Sequence, residues 1–123
     1  MKNILYPDLS YKIIGAAMEV HRELGRGFLE KVYENSLMVM FKNDKIKAIQ
    51  QASIKVYFKN EIVGNYIADI LVEDKIILEL KSVDKINDVH KAQTLNYLKA
   101  TSLKLAIIIN FKKQSLEYER IVL

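Results

Sequence analysis

The stretch from Tyr66 to Lys81 constrains the fold more than any other part of this sequence. It contains two apolar runs joined by a short polar turn, and each run is apolar on both of its sides. Strands with that pattern usually lie in the middle of a sheet, where neither face meets water. We therefore predict a central antiparallel hairpin. Three charged residues, Asp69, Glu79 and Lys81, interrupt this hairpin, and their presence needs a physical reason.

A buried carboxylate is normally paired, protonated or bound to a metal, because leaving it alone costs several kcal/mol. Glu79 and Lys81 share one face of their strand, since side chains alternate. A three-residue turn would pair Asp69 with Glu79, which brings the two acids to the same face. A two-residue turn would pair Asp69 with Leu80 instead and separate them. A metal site here therefore requires an odd-length turn or a bulge.

If the acids converge, two carboxylates and a backbone carbonyl suit Mg²⁺ or Mn²⁺, which prefer oxygen ligands. Such an ion favours the hydrolysis of phosphodiesters, and Lys81 could orient the attacking water or steady the oxyanion. An internal ion pair between Lys81 and the carboxylates explains the same residues without a metal. From spacing alone both interpretations stay open.

Apolar periodicity predicts the order helix, helix, three strands, helix, two strands. The predicted helices follow Pro7 to about Leu24, span Phe28 to Asn43, and span Val89 to Ala100; the predicted strands are Ile46–Lys59, Ile62–Glu73, Lys75–Val83, Leu103–Asn110 and Leu116–Leu123. The first three strands can form an antiparallel meander, and the fourth can join by a right-handed crossover. We expect a mixed α+β sheet with helices over it, in one domain covering residues 1–123.

Local signals mark the ends of these elements. Asp8 or Ser10 is expected to cap the first helix, and Gly25 to end it in a left-handed conformation. Asn60–Glu61 is a candidate hairpin turn, and Gly64 a candidate bulge.

Composition narrows the class of protein. Nineteen basic and fifteen acidic residues give a net charge of +4, which permits nucleic-acid binding without demonstrating it. Only three of the basic residues are arginine, so we expect contacts to the phosphate backbone and little base readout. No cysteine, no signal peptide and no apolar run of about 20 residues are found, so we expect a cytoplasmic protein without a membrane segment. A homodimer is compatible with so small a domain.

Other polar residues could join the hairpin acids. Glu30, near the start of the second helix, could supply an oxygen directly or through water, although an acid there also suits the helix dipole. Gln93 and Tyr97 could face the same cleft from the third helix, or lie on its outer surface. His21 is more often a hydrogen-bonded structural residue than a catalytic one.

Several motifs together resemble a known family. The segment Gly27–Tyr33 matches the GxxExxY signature. Further segments resemble proteins of that family: Ile13–Gly25, Ala68–Val72, Glu79–Val83, Gln93–Leu98 and Ile109–Phe111. The GxxExxY family is placed in the PD-(D/E)XK nuclease-like superfamily. The resemblance implies a restriction-endonuclease-like αβββαβ core, here with an extra N-terminal helix and a C-terminal strand.

Carried over by position, the resemblance implies a role for each candidate residue. Glu30 resembles the helix-borne acid and Asp69 the acid of the second core strand. Glu79 and Lys81 resemble the E-x-K of the third strand, and Gln93 with Tyr97 resembles the Q-x-x-x-Y of the next helix. The metal ligands implied are Asp69, Glu79 and Glu30, and the supporting residues are Tyr33, Tyr97 and His21.

The chain departs from the family pattern at positions that are not proposed ligands. Ile67 stands where an arginine is common, which removes a cation from the site. Arg26 and Asn60 replace a frequent proline and glycine, and Ala68 stands at the superfamily's proline. We expect a Mg²⁺- or Mn²⁺-dependent nuclease that cleaves DNA or RNA with little base specificity. The alternative is a weak or inactive nuclease-fold module that binds nucleic acid or a protein partner.

Overall fold

The computed structural model describes residues 4–123 and forms three helices and five strands within that range. Residues 1–3, part of the segment in which we expected no signal peptide, lie outside the described range. The helices are α1 (Pro7–Leu24), α2 (Glu30–Asn43) and α3 (Asp88–Thr101). The strands are β1 (Ala48–Phe58), β2 (Glu61–Val72), β3 (Ile76–Lys81), β4 (Leu105–Asn110) and β5 (Glu117–Val122). The predicted order of elements is confirmed.

The five strands form one sheet in the order β1-β2-β3-β4-β5. Neighbouring strands are antiparallel except β3 and β4, which run parallel and are connected through α3. The mixed sheet predicted from the sequence is therefore confirmed. β3 and β4 carry almost unbroken apolar side chains because they have a neighbouring strand on each side and helices over their faces.

Helices cover the sheet on two sides. α1 and α2 pack on one side, in a core that includes Ile13, Leu37, Phe41, Ile70, Leu78 and Ile107. α3 packs on the other side, in a smaller core made of Ile54, Ala68, Ile77, Tyr97, Leu98 and Ala106. We call these the large core and the small core. Among residues 4–123 no helix is long and apolar enough to cross a membrane.

The central hairpin has the odd-length turn that convergence of its acids requires. Residues 73–75 form the turn, and Val72 pairs with Ile76. Continued along the strands, the same register sets Asp69 opposite Glu79. Non-glycine residues with positive φ are uncommon, yet two consecutive turn residues, Glu73 and Asp74, have φ of 51° and 55°.

Several local predictions were wrong or incomplete. The first helix begins at Pro7 with Tyr6 at its N-cap and no side-chain cap, so neither Asp8 nor Ser10 has that role. Ser10 is buried instead, and its hydroxyl accepts a hydrogen bond from Arg120 at 2.9 Å. Gly25 ends α1 with φ 73° and ψ −166°, which is a positive-φ conformation but not a left-handed helical one.

The first hairpin also differs in detail. Its turn is Lys59–Asn60, where both residues have positive φ, and not Asn60–Glu61. The strand register shifts between Val56 and Tyr57, directly opposite the predicted bulge at Gly64. Since β3 pairs only with residues 70–72 of β2, the part of β1 and β2 from 54 to 67 extends past the third strand. We call residues 54–67 the arm.

Two glycines of α1 should respond oppositely to alanine. Gly25→Ala is expected to lower the free energy of unfolding by about 1–3 kcal/mol, because its φ of 73° strains any residue with a side chain. Gly15 is helical and exposed, with nothing within 4 Å of an added Cβ. Gly15→Ala is therefore expected to raise the free energy of unfolding by about 0.5–1 kcal/mol. Urea denaturation followed by circular dichroism measures both; equal effects would contradict this account of the helix end.

Candidate functional site

β2 separates from β3 at Asp69. The paired residues of the two strands end at Ile70 and Leu78, and the next polar contact comes from a side chain: Leu80 N–H donates to Asp69 Oδ2 at 2.7 Å. The carboxylate thus accepts the hydrogen bond that a strand carbonyl would otherwise take. Asp69 is half-buried, and this bond holds its carboxylate against β3.

Glu79 and Lys81 point to the α3 side of the sheet. They follow Ile77, a small-core residue, at alternate positions of β3. Glu79 is only 6% exposed, whereas Lys81 is half-buried. Within residues 4–123, the Oε1 atom of Glu79 is buried without any hydrogen-bond partner. Native proteins contain few such atoms, and each one calls for an explanation such as a bound ion or water.

Burial and neighbouring charge act strongly on these acids. Burial, followed by the nearby Asp69 carboxylate, raises the pKa of Glu79 to about 8, and the Lys81 ammonium partly opposes the rise. Burial also raises the pKa of Asp69, while the Leu80 N–H lowers it. The site therefore contains two mutually repelling carboxyl groups and one cation, which favours either proton uptake or a cation between the acids.

The alternation of β1 and β2 reverses beside Asp69. Ala68 lies in the small core, yet Ile70, two residues later, lies in the large core on the opposite side. The pairing between the strands skips this point, and Gln51 of β1 has a φ of 54°. This irregularity allows Asp69 to reach towards Leu80 and the α3 side while the strand on either side of it stays in the sheet.

Glu34 anchors the irregular point and was not predicted as a site residue. It is 4% exposed and accepts from Gln51 Nε2 at 2.8 Å, from Lys31 Nζ at 2.9 Å, and from Gln50. Its position could have been found from helical spacing, because it shares a face with the buried Leu37 and Phe41. By contrast, Leu29 and Val32, apolar residues around the start of α2, are exposed.

Glu30 begins α2 and is exposed. Partial desolvation raises its pKa, the Lys81 ammonium lowers it, and the Asp69 carboxylate raises it. Its charge thus acts on the site even though its side chain is open to solvent. Across residues 4–123, no three His, Cys, Asp or Glu side chains are grouped closely enough to hold a metal together. Ligation by Glu30, directly or through water, stays a prediction.

The two candidate residues of the third helix differ in burial. Tyr97 is 7% exposed and lies in the small core, with its ring centroid 5.2 Å from that of Tyr66. Burial raises the pKa of Tyr97, and the carboxylates of Glu79 and Asp69 raise it further. Gln93, one turn earlier, is exposed. On the same helix Ala92 is exposed and Thr94 is buried.

Tyr33 and His21, predicted as supporting residues, each make hydrogen bonds that hold a loop. The Tyr33 hydroxyl donates to Gly25 O at 2.6 Å and accepts from Phe28 N–H at 3.3 Å, which holds the loop between α1 and α2. Its ring stacks on Phe111 with centroids 4.3 Å apart. His21 is buried with Nε2 2.9 Å from Lys113 O. Both residues are structural in the described contacts.

Asn110, another residue not predicted for the site, holds the chain after Lys81. Its amide is fully buried, donates to Val83 O at 2.8 Å, and accepts from Val83 N–H at 3.1 Å. It also donates to Glu117 at 3.0 Å. An asparagine at the end of an otherwise apolar strand was the available signal. Asn110 therefore fixes the backbone that follows the catalytic candidate Lys81.

The donor set fits a hard divalent cation. The unpartnered Glu79 Oε1 and the second oxygen of Asp69 are both oxygen donors beside Lys81. Mg²⁺ is usually bound by one or two carboxylates with water at its other positions, so two acids are sufficient. The residues present therefore fit Mg²⁺ or Mn²⁺.

Replacing Glu79 by Gln should stabilise the metal-free protein increasingly as the pH rises from about 4.5 to about 8. Across that window the folded wild type keeps a proton that the unfolded chain has lost, so wild-type stability falls as pH rises. Glutamine cannot ionise and avoids this loss, which should reach a few kcal/mol. Urea denaturation in EDTA at a series of pH values measures it.

Glu117→Gln provides a control of opposite sign. A hydrogen bond from Asn110 lowers the pKa of Glu117, so the wild-type glutamate adds stability once the unfolded chain has ionised. Its glutamine variant should lose stability relative to wild type as the pH rises. If the Glu79→Gln difference did not change with pH, a desolvated carboxyl at this position would be contradicted.

Comparison with known proteins gives the family and the fold. A family model described as PD-(D/E)XK nuclease superfamily matches residues 7–121. The crystal structure of SSO0001 is similar with a TM-score of 0.57 and 17% sequence identity, over 76% of this chain and 50% of that one. This chain therefore spans half the length of that protein, and the likeness supports the fold alone. No curated protein matches the chain.

The GxxExxY subtype is not tested by these matches and stays a prediction. The family match covers nearly the whole length from α1 to β5, and the mixed sheet and its three helices agree with it. On this basis the chain belongs to the PD-(D/E)XK nuclease superfamily.

Proposed function

We propose that the protein is a Mg²⁺- or Mn²⁺-dependent nuclease that hydrolyses phosphodiester bonds of DNA or RNA with little base specificity. The observation that carries the proposal is the buried, unpartnered Oε1 atom of Glu79 beside Asp69 and Lys81. Family membership supports the same reaction class. If Glu79 served only in a structural ion pair, its Oε1 atom would be expected to have a hydrogen-bond partner, because no metal would bind it.

The side chains have separable tasks in this mechanism. When bound, a divalent cation lowers the pKa of a water and stabilises negative charge on a phosphate. Asp69 and Glu79 would hold the cation, and the Leu80 N–H keeps Asp69 in place. Lys81 would donate a hydrogen bond to the attacking water or to a phosphate oxygen, where negative charge grows in the transition state. Glu30 would act through water.

The surrounding residues suit a phosphate backbone more than a particular base. Gln93 is exposed on α3 and can donate to a phosphate oxygen or a water. The protein's cations are mostly lysines, which act as point charges and lack the fork geometry that arginine offers to guanine. We therefore propose binding that depends on salt and little on sequence.

A second candidate, a nuclease-fold module that binds without cutting, is favoured by one observation. In the described part of the chain no third acidic or histidine side chain joins Asp69 and Glu79 closely enough to complete a metal cluster. Such a module would bind nucleic acid or a protein equally well in EDTA and in Mn²⁺. Cleavage assays separate it from the first proposal.

Asp69→Asn and Lys81→Ala should each reduce cleavage of single- or double-stranded substrates in Mn²⁺ at least about a hundredfold. Asparagine keeps an oxygen that can accept from Leu80 N–H, so the fold should survive. Calorimetric titration with Mn²⁺ should show binding to wild type and loss of it in Asp69→Asn. Lys12→Ala, an exposed change on α1, is the matched control and should cleave like wild type. Cleavage that persists in both site variants would refute the nuclease proposal.

A further inference from the structure

A groove lies between the arm and α3. It has a volume of about 410 Å³ and is lined by Val56, Tyr57, Tyr66, Asn96, Lys99 and Ala100. The arm extends beyond β3, so one wall of the groove is a two-stranded ribbon and the other is a helix. We call this hollow the arm groove.

The walls of the arm groove carry the groups that bind nucleotides. Tyr57 is 60% exposed and Tyr66 is 43% exposed, so both rings are open to a ligand. Lys99 supplies a cation and Asn96 an amide, and no lining residue is acidic. Aromatic rings stack on bases of any kind, and lysines follow the phosphates, which is the usual chemistry of single-strand binding.

The arm groove lies on the same side of the sheet as the carboxylate site. Tyr66 precedes Asp69 by three residues on β2, a distance of about 10 Å along a strand. Because side-chain alternation reverses beside Asp69, Tyr66 and the carboxylates face the same α3 side of the sheet. Tyr97 is near both, since its ring centroid is 5.2 Å from that of Tyr66 and, besides burial, the carboxylates of Glu79 and Asp69 raise its pKa.

The exposed tyrosine rings favour an unpaired strand over a duplex. In a duplex each base is already stacked and paired, so neither Tyr57 nor Tyr66 could reach a base face. The neutral-to-basic lining also contrasts with the acidic site beside it, so phosphates would be held in the groove and reach the acids only at one end.

We propose that the arm groove binds single-stranded DNA or RNA, stacks an unpaired base on Tyr57 or Tyr66, and leads the adjoining phosphate to Asp69 and Glu79. This assignment of a substrate class rests on the proposed nuclease function. Lys99 neutralises a backbone phosphate in this arrangement. Asn96 offers both a donor and an acceptor to a base edge.

Fluorescence anisotropy with a labelled oligo(dT) of about 12 nucleotides tests the proposal, in EDTA so that no cleavage occurs. Tyr57→Ala should weaken binding roughly five- to a hundredfold, and Tyr57→Phe should restore it. Tyr57→Leu keeps apolar area but lacks a π-face, so it should bind as weakly as the alanine variant. Lys99→Ala should weaken binding and reduce the slope of log K against log salt by about 0.7.

Tyr11→Ala and Lys12→Ala are the matched controls. Tyr11 is 82% exposed on α1 and Lys12 is its exposed neighbour, both outside the arm groove lining, so both variants should bind oligo(dT) like wild type. If both Tyr57→Ala and Lys99→Ala bound oligo(dT) as tightly as wild type does, the proposal would be overturned. Tighter binding of a duplex than of a single strand of equal length would also overturn it. A dimer in sedimentation that Tyr57→Ala dissociates, without oligo(dT) binding, would assign the groove to a second copy and also overturn it.

The outcomes distinguish this proposal from the nuclease proposal. Binding that depends on Tyr57, together with no Mn²⁺-dependent cleavage, would refute the nuclease and support the arm groove. Cleavage that requires Asp69, together with binding indifferent to Tyr57 and Lys99, would refute the arm groove alone.

Discussion

The hydrogen bond from Leu80 N–H to Asp69 Oδ2 is the interaction on which the rest of the site depends. It joins β2 to β3 at the point where their backbone pairing ends. Without an acceptor there, the Leu80 amide would be buried and unsatisfied, which typically costs about 1–3 kcal/mol. With the carboxylate as acceptor, the strands can separate and leave room for ionisable groups between the sheet and α3.

The irregular backbone at Gln51 allows the strands to separate while both faces of the sheet stay packed against helices. Side-chain alternation reverses beside Asp69. Without that reversal, the arm residues that pack on α3 would face α1 and α2 instead. Glu34 stabilises the reversal from the large-core side through its bonds to Gln51 and Gln50. Glu34, the buried acid of α2, therefore supports the strand. Glu30, which matches the acid of the GxxExxY pattern, stays at the surface.

Much of this architecture was predictable from the sequence. The apolar runs identified β2, β3 and β4, and the pairing argument stated which turn length would bring Asp69 opposite Glu79. The burial of Glu34 was not predicted, because it depends on contacts that α2 makes with β1. Nothing local in a glutamine indicates that Gln51 adopts a φ of 54°, so the reversal of alternation could not be foreseen. The inner face of α3 was also hard to predict, because Tyr97 is buried through contacts in the small core that no local pattern in the helix indicates.

The double duty of Asp69 has an evolutionary consequence. Under the proposed function, Asp69 both closes the sheet and holds the cation, so it would be retained for either reason. A descendant of this fold that no longer cut anything would still need an oxygen acceptor for the Leu80 amide, and aspartate or asparagine would provide it. Persistence of an acid at this place among relatives would therefore reflect the architecture of the sheet as much as catalysis, whereas Lys81 has no such second obligation in the described contacts and should be lost first.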